Sequence, residues 1–125
     1  MWCAKNAEDL KSYFLKSFGS WLTVDKAIDN LDSLVKEHNK FFKNYKYWTE
    51  EFKRFENPKN NKEAFGNNIA TVENGVHSLY KAEMEKAVWQ FNAIADAIIE
   101  HCGSDEKLLK SVLKKIETRR NRMNK

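Results

Sequence analysis

Apolar residues recur along this chain at alternating steps of four and three, and the longest such run lies between Ala27 and Phe55. Ala27, Leu31, Leu34, His38, Phe41, Tyr45, Trp48, Phe52 and Phe55 form one seam, and Val24, Ile28, Val35 and Phe42 form a second row beside it. Two adjacent rows give the wide apolar stripe of a core-facing helix. Lys36, Lys40, Lys43, Glu50 and Arg54 fall on the opposite side. The spacing predicts one helix over 23–56, roughly 50 Å long at 1.5 Å per residue. A helix of that length needs an equally long partner to cover its stripe. The stretch Phe41–Phe55 is the densest part, with seven aromatic residues in fifteen.

The remaining elements follow from the same pattern and its punctuation. Asn6 is placed to cap a first helix over 7–18, whose apolar face is Leu10, Phe14 and Phe18, with Trp21 and Leu22 continuing the pattern. Gly19 and Ser20 interrupt it, and Thr23 with Asp25 behind it opens the long helix. Pro58 disfavours helix in the residue before it, and Asn57–Asn61 has turn composition, so the next helix folds back antiparallel. That helix is predicted over 62–102, with a buried face of Phe65, Ile69, Val72, Val76, Leu79, Met84, Ala87, Phe91, Ile94, Ile98 and Cys102. Gly75 inside it weakens it by up to about 1 kcal/mol against alanine and favours a bend. Gly103 is suited to end it. Ser104 is expected to cap a fourth helix over 104–118, striped by Leu108, Leu109, Val112, Leu113 and Ile116. The stripe ends at Ile116, which predicts a frayed basic tail over 119–125. The expected fold is all-α: a single domain, an antiparallel bundle of three to four helices built on one long hairpin.

Length and composition narrow the class. A chain of 125 residues with four glycines and one proline can bury a core without metal or disulfide staples. No run approaches the roughly 18 apolar residues of a membrane span. Charges occupy the N-terminal region where the apolar part of a signal peptide would lie, so the expected compartment is cytoplasmic. Cys3 and Cys102 fit no metal-ligand spacing and read as reduced thiols.

The net charge of +4 is concentrated at one end. From Ser104 onward eight basic residues face three acidic ones, and the basic set is Lys107, Lys110, Lys114, Lys115, Arg119, Arg120, Arg122 and Lys125. Such a helix can dock on phosphates, an acidic protein patch or an anionic membrane. The plainer reading is that basic residues near a helix C-terminus favour the macrodipole and keep the surface solvated.

The patterns that carry catalysis are missing. A di-iron bundle needs Glu-x-x-His pairs on two helices, whereas Glu73 and His77 are four apart and Glu37–His38 and Glu100–His101 are adjacent. No His-Glu-x-x-His pair and no glycine-rich phosphate loop occurs. His38, on the apolar seam, reads as a core histidine hydrogen-bonded across to the partner helix. The expectation is therefore a protein that is not an enzyme, with no catalytic residue, no cofactor and no metal.

The aromatic residues off the seams carry the functional reading. Tyr47 falls on the polar side of the long helix, and Tyr80 and Trp89 fall off the strictest seam of the next. Aromatic side chains in such places are either buried by the short first or fourth helix or anchor a partner, since Trp and Tyr are enriched at interface hot spots. The expected function is a non-enzymatic protein-binding module (a small adaptor, assembly subunit or inhibitor) acting through these anchors and the basic C-terminal helix. The expected partner is another protein, with homodimerisation as one form of it. The first alternative is a nucleic-acid-associated protein using the basic segment, whose binding would weaken steeply with salt. The second comes from a resemblance: from Leu31 to Cys102 the paired long helices, by length and apolar period, loosely resemble part of a BAR-type membrane-curving dimer. That resemblance implies a membrane-surface protein that binds anionic lipid.

Overall fold

Four helices account for nearly all of the described residues, and three of them start where a side chain satisfies a free amide group. The structure is a computed structural model; it describes residues 4–18, 23–56 and 66–124, with side chains of all these except 52, 55, 56 and 66–74. The helices are α1 (Ala7–Phe18), α2 (Val24–Glu56), α3 (Gly66–Cys102) and α4 (Glu106–Met123). No strand occurs among the described residues. The turn expected at Asn57–Asn61, the start expected for α3 at Lys62, the break at Gly19–Ser20 and Cys3 lie outside them.

The caps act locally. Asn6 Oδ1 accepts from the Asp9 amide at 2.9 Å, and Thr23 Oγ1 accepts from the Lys26 amide at 3.3 Å, as the sequence predicts. At α4 the cap is Asp105 rather than Ser104: its carboxylate accepts from the Leu108 amide at 3.2 Å, and its extended backbone precedes the first helical residue. The turn after α3 sets this register, because the Asp105 amide donates back to the Cys102 carbonyl at 2.9 Å. Gly103 ends α3 as expected, and a Cβ there would lie 3.3 Å from the Glu100 carbonyl oxygen. α3 is one continuous helix through Gly75.

α2 and α3 pack as an antiparallel hairpin. Phe41 meets Tyr80 with ring centroids 6.1 Å apart, and Tyr45 meets His77 at 4.5 Å. α1 lies on the C-terminal half of α3, where Phe18 stacks on His101 at 4.5 Å and Lys11 pairs with Glu100. Donating to the Glu100 carboxylate holds the pKa of the Lys11 ammonium above its ordinary value. α4 covers the N-terminal half of α2 and the C-terminal half of α3, with Arg119 on Asp32 and Arg120 on Phe91 and Asn92. The C-terminal half of α3 is thus enclosed by three helices, which explains its composition: Ala87, Ala93, Ala95 and Ala97 are buried along with Phe91, Ile94, Ile98 and Cys102. Alanines on several faces let neighbouring backbones approach, while the larger side chains fill the space between them.

Burial stops abruptly along the hairpin. Among the described side chains, His38 is the last buried one of α2 and Ala87 the first of α3, and none between Asn39 and Lys86 is buried. The protein therefore consists of a four-helix base and a two-helix arm, the α2 part of which spans about 25 Å. Two expectations for α3 and α4 change here. Leu79, assigned to the buried face, is 59% exposed, and Tyr80 and His77 occupy the seam instead. Stepping back from Phe91 by 3.6 residues reaches Ala87, Met84, Tyr80 and His77, whereas the step from Leu79 to Met84 breaks that period. The tail expected to fray beyond Ile116 is helical to Met123, which is buried at 6% exposure.

Candidate functional site

The α4 helix lies in a groove between α2 and α3, and the residues that hold it mark where the groove goes. Arg119 makes a two-pronged contact with Asp32 of α2, Nε to Oδ1 at 2.8 Å and Nη2 to Oδ2 at 3.3 Å, and Arg122 reaches the same carboxylate at 3.6 Å. Asn39 Nδ2 donates to the Arg122 carbonyl at 3.3 Å, satisfying one of the free acceptors at the end of α4. On the other side, Arg120 lies over the Phe91 ring at 5.8 Å and donates to Asn92 Oδ1 at 3.3 Å. These contacts place the end of α4 at Asn39 and Asn92, where the base gives way to the arm.

A cleft of about 510 Å³ opens at that point, lined by His38, Val88, Phe91, Asn92, Arg120, Met123 and Asn124. Further along the arm, α2 presents half-buried Phe42 and Tyr45 with exposed Lys43 and Lys46, and α3 presents half-buried Met84 and Tyr80 with exposed Glu85 and Lys81. Val88, at the mouth, is 38% exposed. Half-buried apolar side chains with charged neighbours thus follow the end of α4 along both helices of the arm.

Two histidines sit along this seam, and their hydrogen bonds determine which nitrogen carries the proton. Thr49 Oγ1 has a single hydrogen, which it donates to the Tyr45 carbonyl at 2.7 Å, so at its 2.8 Å contact with His77 Nε2 it accepts. His77 therefore carries its proton on Nε2. His38 is the reverse case. The Asn39 amide nitrogen is committed to the Arg122 carbonyl, so Asn39 Oδ1 faces His38 Nδ1 at 3.3 Å and accepts its proton. The bond expected to run across to the partner helix runs to this neighbour on α2 instead. The His38 ring also stacks on Phe42, with centroids 5.9 Å apart.

The residues picked out in the sequence do not form one patch. Tyr47 is 55% exposed and meets Trp48 edge to face at 5.3 Å. Tyr80 is half-buried against Phe41, and Trp89 is half-buried against the main core. Lys107, Lys110, Lys114 and Lys115 are exposed on α4, whereas Arg119, Arg120 and Arg122 engage Asp32, Phe91 and Asn92. The lysines therefore line the outer side of the base and Tyr47 lies on the arm. Val88 and Asn92, which line the cleft, carried no signal of their own in the sequence. Their shared position depends on where α4 ends.

Other chemistry is sparse. Cys102 is a buried free thiol, pushed up by burial and then by the nearby Asp105 charge. No group of three His, Cys, Asp or Glu among the described residues could hold a metal ion, and no helix there is long and apolar enough to cross a membrane. Compared with known proteins, the chain matches no family model, no curated protein and no solved structure.

Proposed function

We propose that this chain is a non-enzymatic protein-binding module whose arm groove receives an amphipathic helix of a partner protein. The observation that carries this reading is that α4 packs between α2 and α3 in the base, while beyond Met123 the same two helices carry apolar side chains, Phe42, Tyr45, Tyr80 and Met84, that are only half-buried. Helix-in-groove recognition uses an apolar stripe of the incoming helix and charged residues at its margins. Here the rims offer Lys43 and Lys46 on one side and Lys81 with Glu85 on the other. A second copy of the chain is one partner this surface would accommodate.

A photo-crosslinking residue placed at Lys43, Lys81 or Glu85 in the native host tests this reading, with the same probe at Glu117 as a control. Crosslinks from the arm positions to one helical segment, lost in Val88→Glu, support it. Crosslinking at the arm no greater than at Glu117 rejects it.

A second reading, a membrane-surface protein, is favoured by one observation on α4. Lys107, Lys110 and Lys114 are exposed on it alongside Leu108 at 38% and Leu113 at 42% exposure. Basic and apolar side chains displayed together suit an anionic lipid surface. Co-sedimentation with phosphatidylserine vesicles, lost in the triple Lys→Glu variant at these three positions, would favour it over the groove. Nucleic acid is less well supported, because Arg119 and Arg122, two of the side chains best shaped for phosphate, pair with Asp32 within the fold.

A further inference from the structure

The cleft at the head of the groove contains a buried polar atom that the fold leaves without a partner. His38 is 7% exposed and lines this cleft; its Nδ1 is bonded to Asn39, and Nε2 has no hydrogen-bond partner among the described residues. Arg120, the one charged side chain in the lining, uses Nη2 on Asn92 and keeps its other N–H groups for a ligand. Asn92 Oδ1 accepts that bond, which leaves its Nδ2 to donate. Among the described residues no carboxylate lines the cleft. Val88, Phe91 and Met123 supply its apolar wall.

We propose that this cleft is a carboxylate site, held by Arg120, Asn92 and His38, which receives an acidic side chain of the docked helix. The proposal rests on the groove reading above for the source of the carboxylate. The chemistry of the cleft itself does not depend on it. A guanidinium and an amide N–H suit an anionic oxygen. His38 Nε2 can join them only as a donor, and since Nδ1 already carries a proton, binding takes up a second one and makes the ring cationic. The carboxylate then lies between two cations that would otherwise repel across an empty cleft.

Acetate titrated into the full chain, followed by the ring resonances of His38 and the side-chain amide of Asn92, tests the site. The expected result is a shift that saturates with acetate. Arg120→Gln should weaken it about tenfold. Acetamide, which has the same shape without the charge, should produce no such shift. Asn92→Leu serves as a second variant, should Arg120→Gln loosen the packing on Phe91, and should also weaken acetate. Shifts that grow linearly with acetate, that acetamide reproduces, or that survive both substitutions unchanged overturn the site. Acetate binding without arm crosslinks overturns the docked helix as the source. Arm crosslinks without acetate binding leave the groove and overturn the carboxylate site.

Discussion

Ile98 and Leu79 lie on the same helix and look alike in sequence, yet one is fully buried and the other is 59% exposed. Ile98 sits in the half of α3 that α1, α2 and α4 enclose, where removing its side chain leaves a void that well-packed neighbours cannot fill. Ile98→Ala is expected to cost about 2 to 5 kcal/mol. Leu79→Ala is expected to fall within about 0.5 kcal/mol of the parent. Urea denaturation of both variants measures the difference, and equal losses would mean that the arm is covered as the base is. His77 shows the same limit of reading residues singly. Its spacing from Glu73 argued only against a metal site, while its position on the seam, donating to Thr49, depends on the helical phase carried back from Phe91.

At the scale of elements, the C-terminal helix departs furthest from its sequence pattern. Its apolar stripe fades after Ile116, which reads as the end of a structured segment. The structure keeps the helix going because the last turns are held by polar contacts the stripe does not record: Arg119 and Arg122 on Asp32, Arg120 over Phe91, and Asn39 on the Arg122 carbonyl. Buried Met123 closes the packing. A chain ending at Ile116 should therefore lose at least about 2 kcal/mol of stability, the contribution of one buried methionine before any ion pair is counted. Chemical unfolding of the shortened chain measures this, and an unchanged midpoint would show the last turns to be dispensable. Most of the Asp32 contribution should survive moderate salt, because Arg119 is only 18% exposed and its contact is two-pronged.

For the whole molecule, the division into base and arm predicts unequal stability. Opening the arm exposes half-buried rings on two helices, whereas opening the base exposes the core of four. Amide hydrogen exchange should show protection close to that of global unfolding in residues 91–102 and clearly lower protection in residues 40–50 and 75–84. Uniform protection along α3 would mean that the two parts open as one unit. A surface that is less stable alone and gains cover on binding is suited to recognition, and the proposed helix partner should raise protection in the arm first.

Much of this architecture was legible before any coordinates. The alternating steps from Ala27 to Phe55, the caps at Asn6 and Thr23, and the stop at Gly103 depend on helical period and local hydrogen bonding, which are properties of neighbouring residues. They determine an all-α chain built on a long hairpin. What the tertiary structure alone decided is which parts of each stripe are covered, because periodicity says that a face is apolar and not how many helices will lie on it. It decided that three arginines of the basic segment engage the fold while four lysines are exposed, since Asp32, Phe91 and Asn92 are far from them in sequence. It also decided the proton position on His38, because that follows from an amide of α2 bonded to a carbonyl of α4, and only folding brings those two groups together.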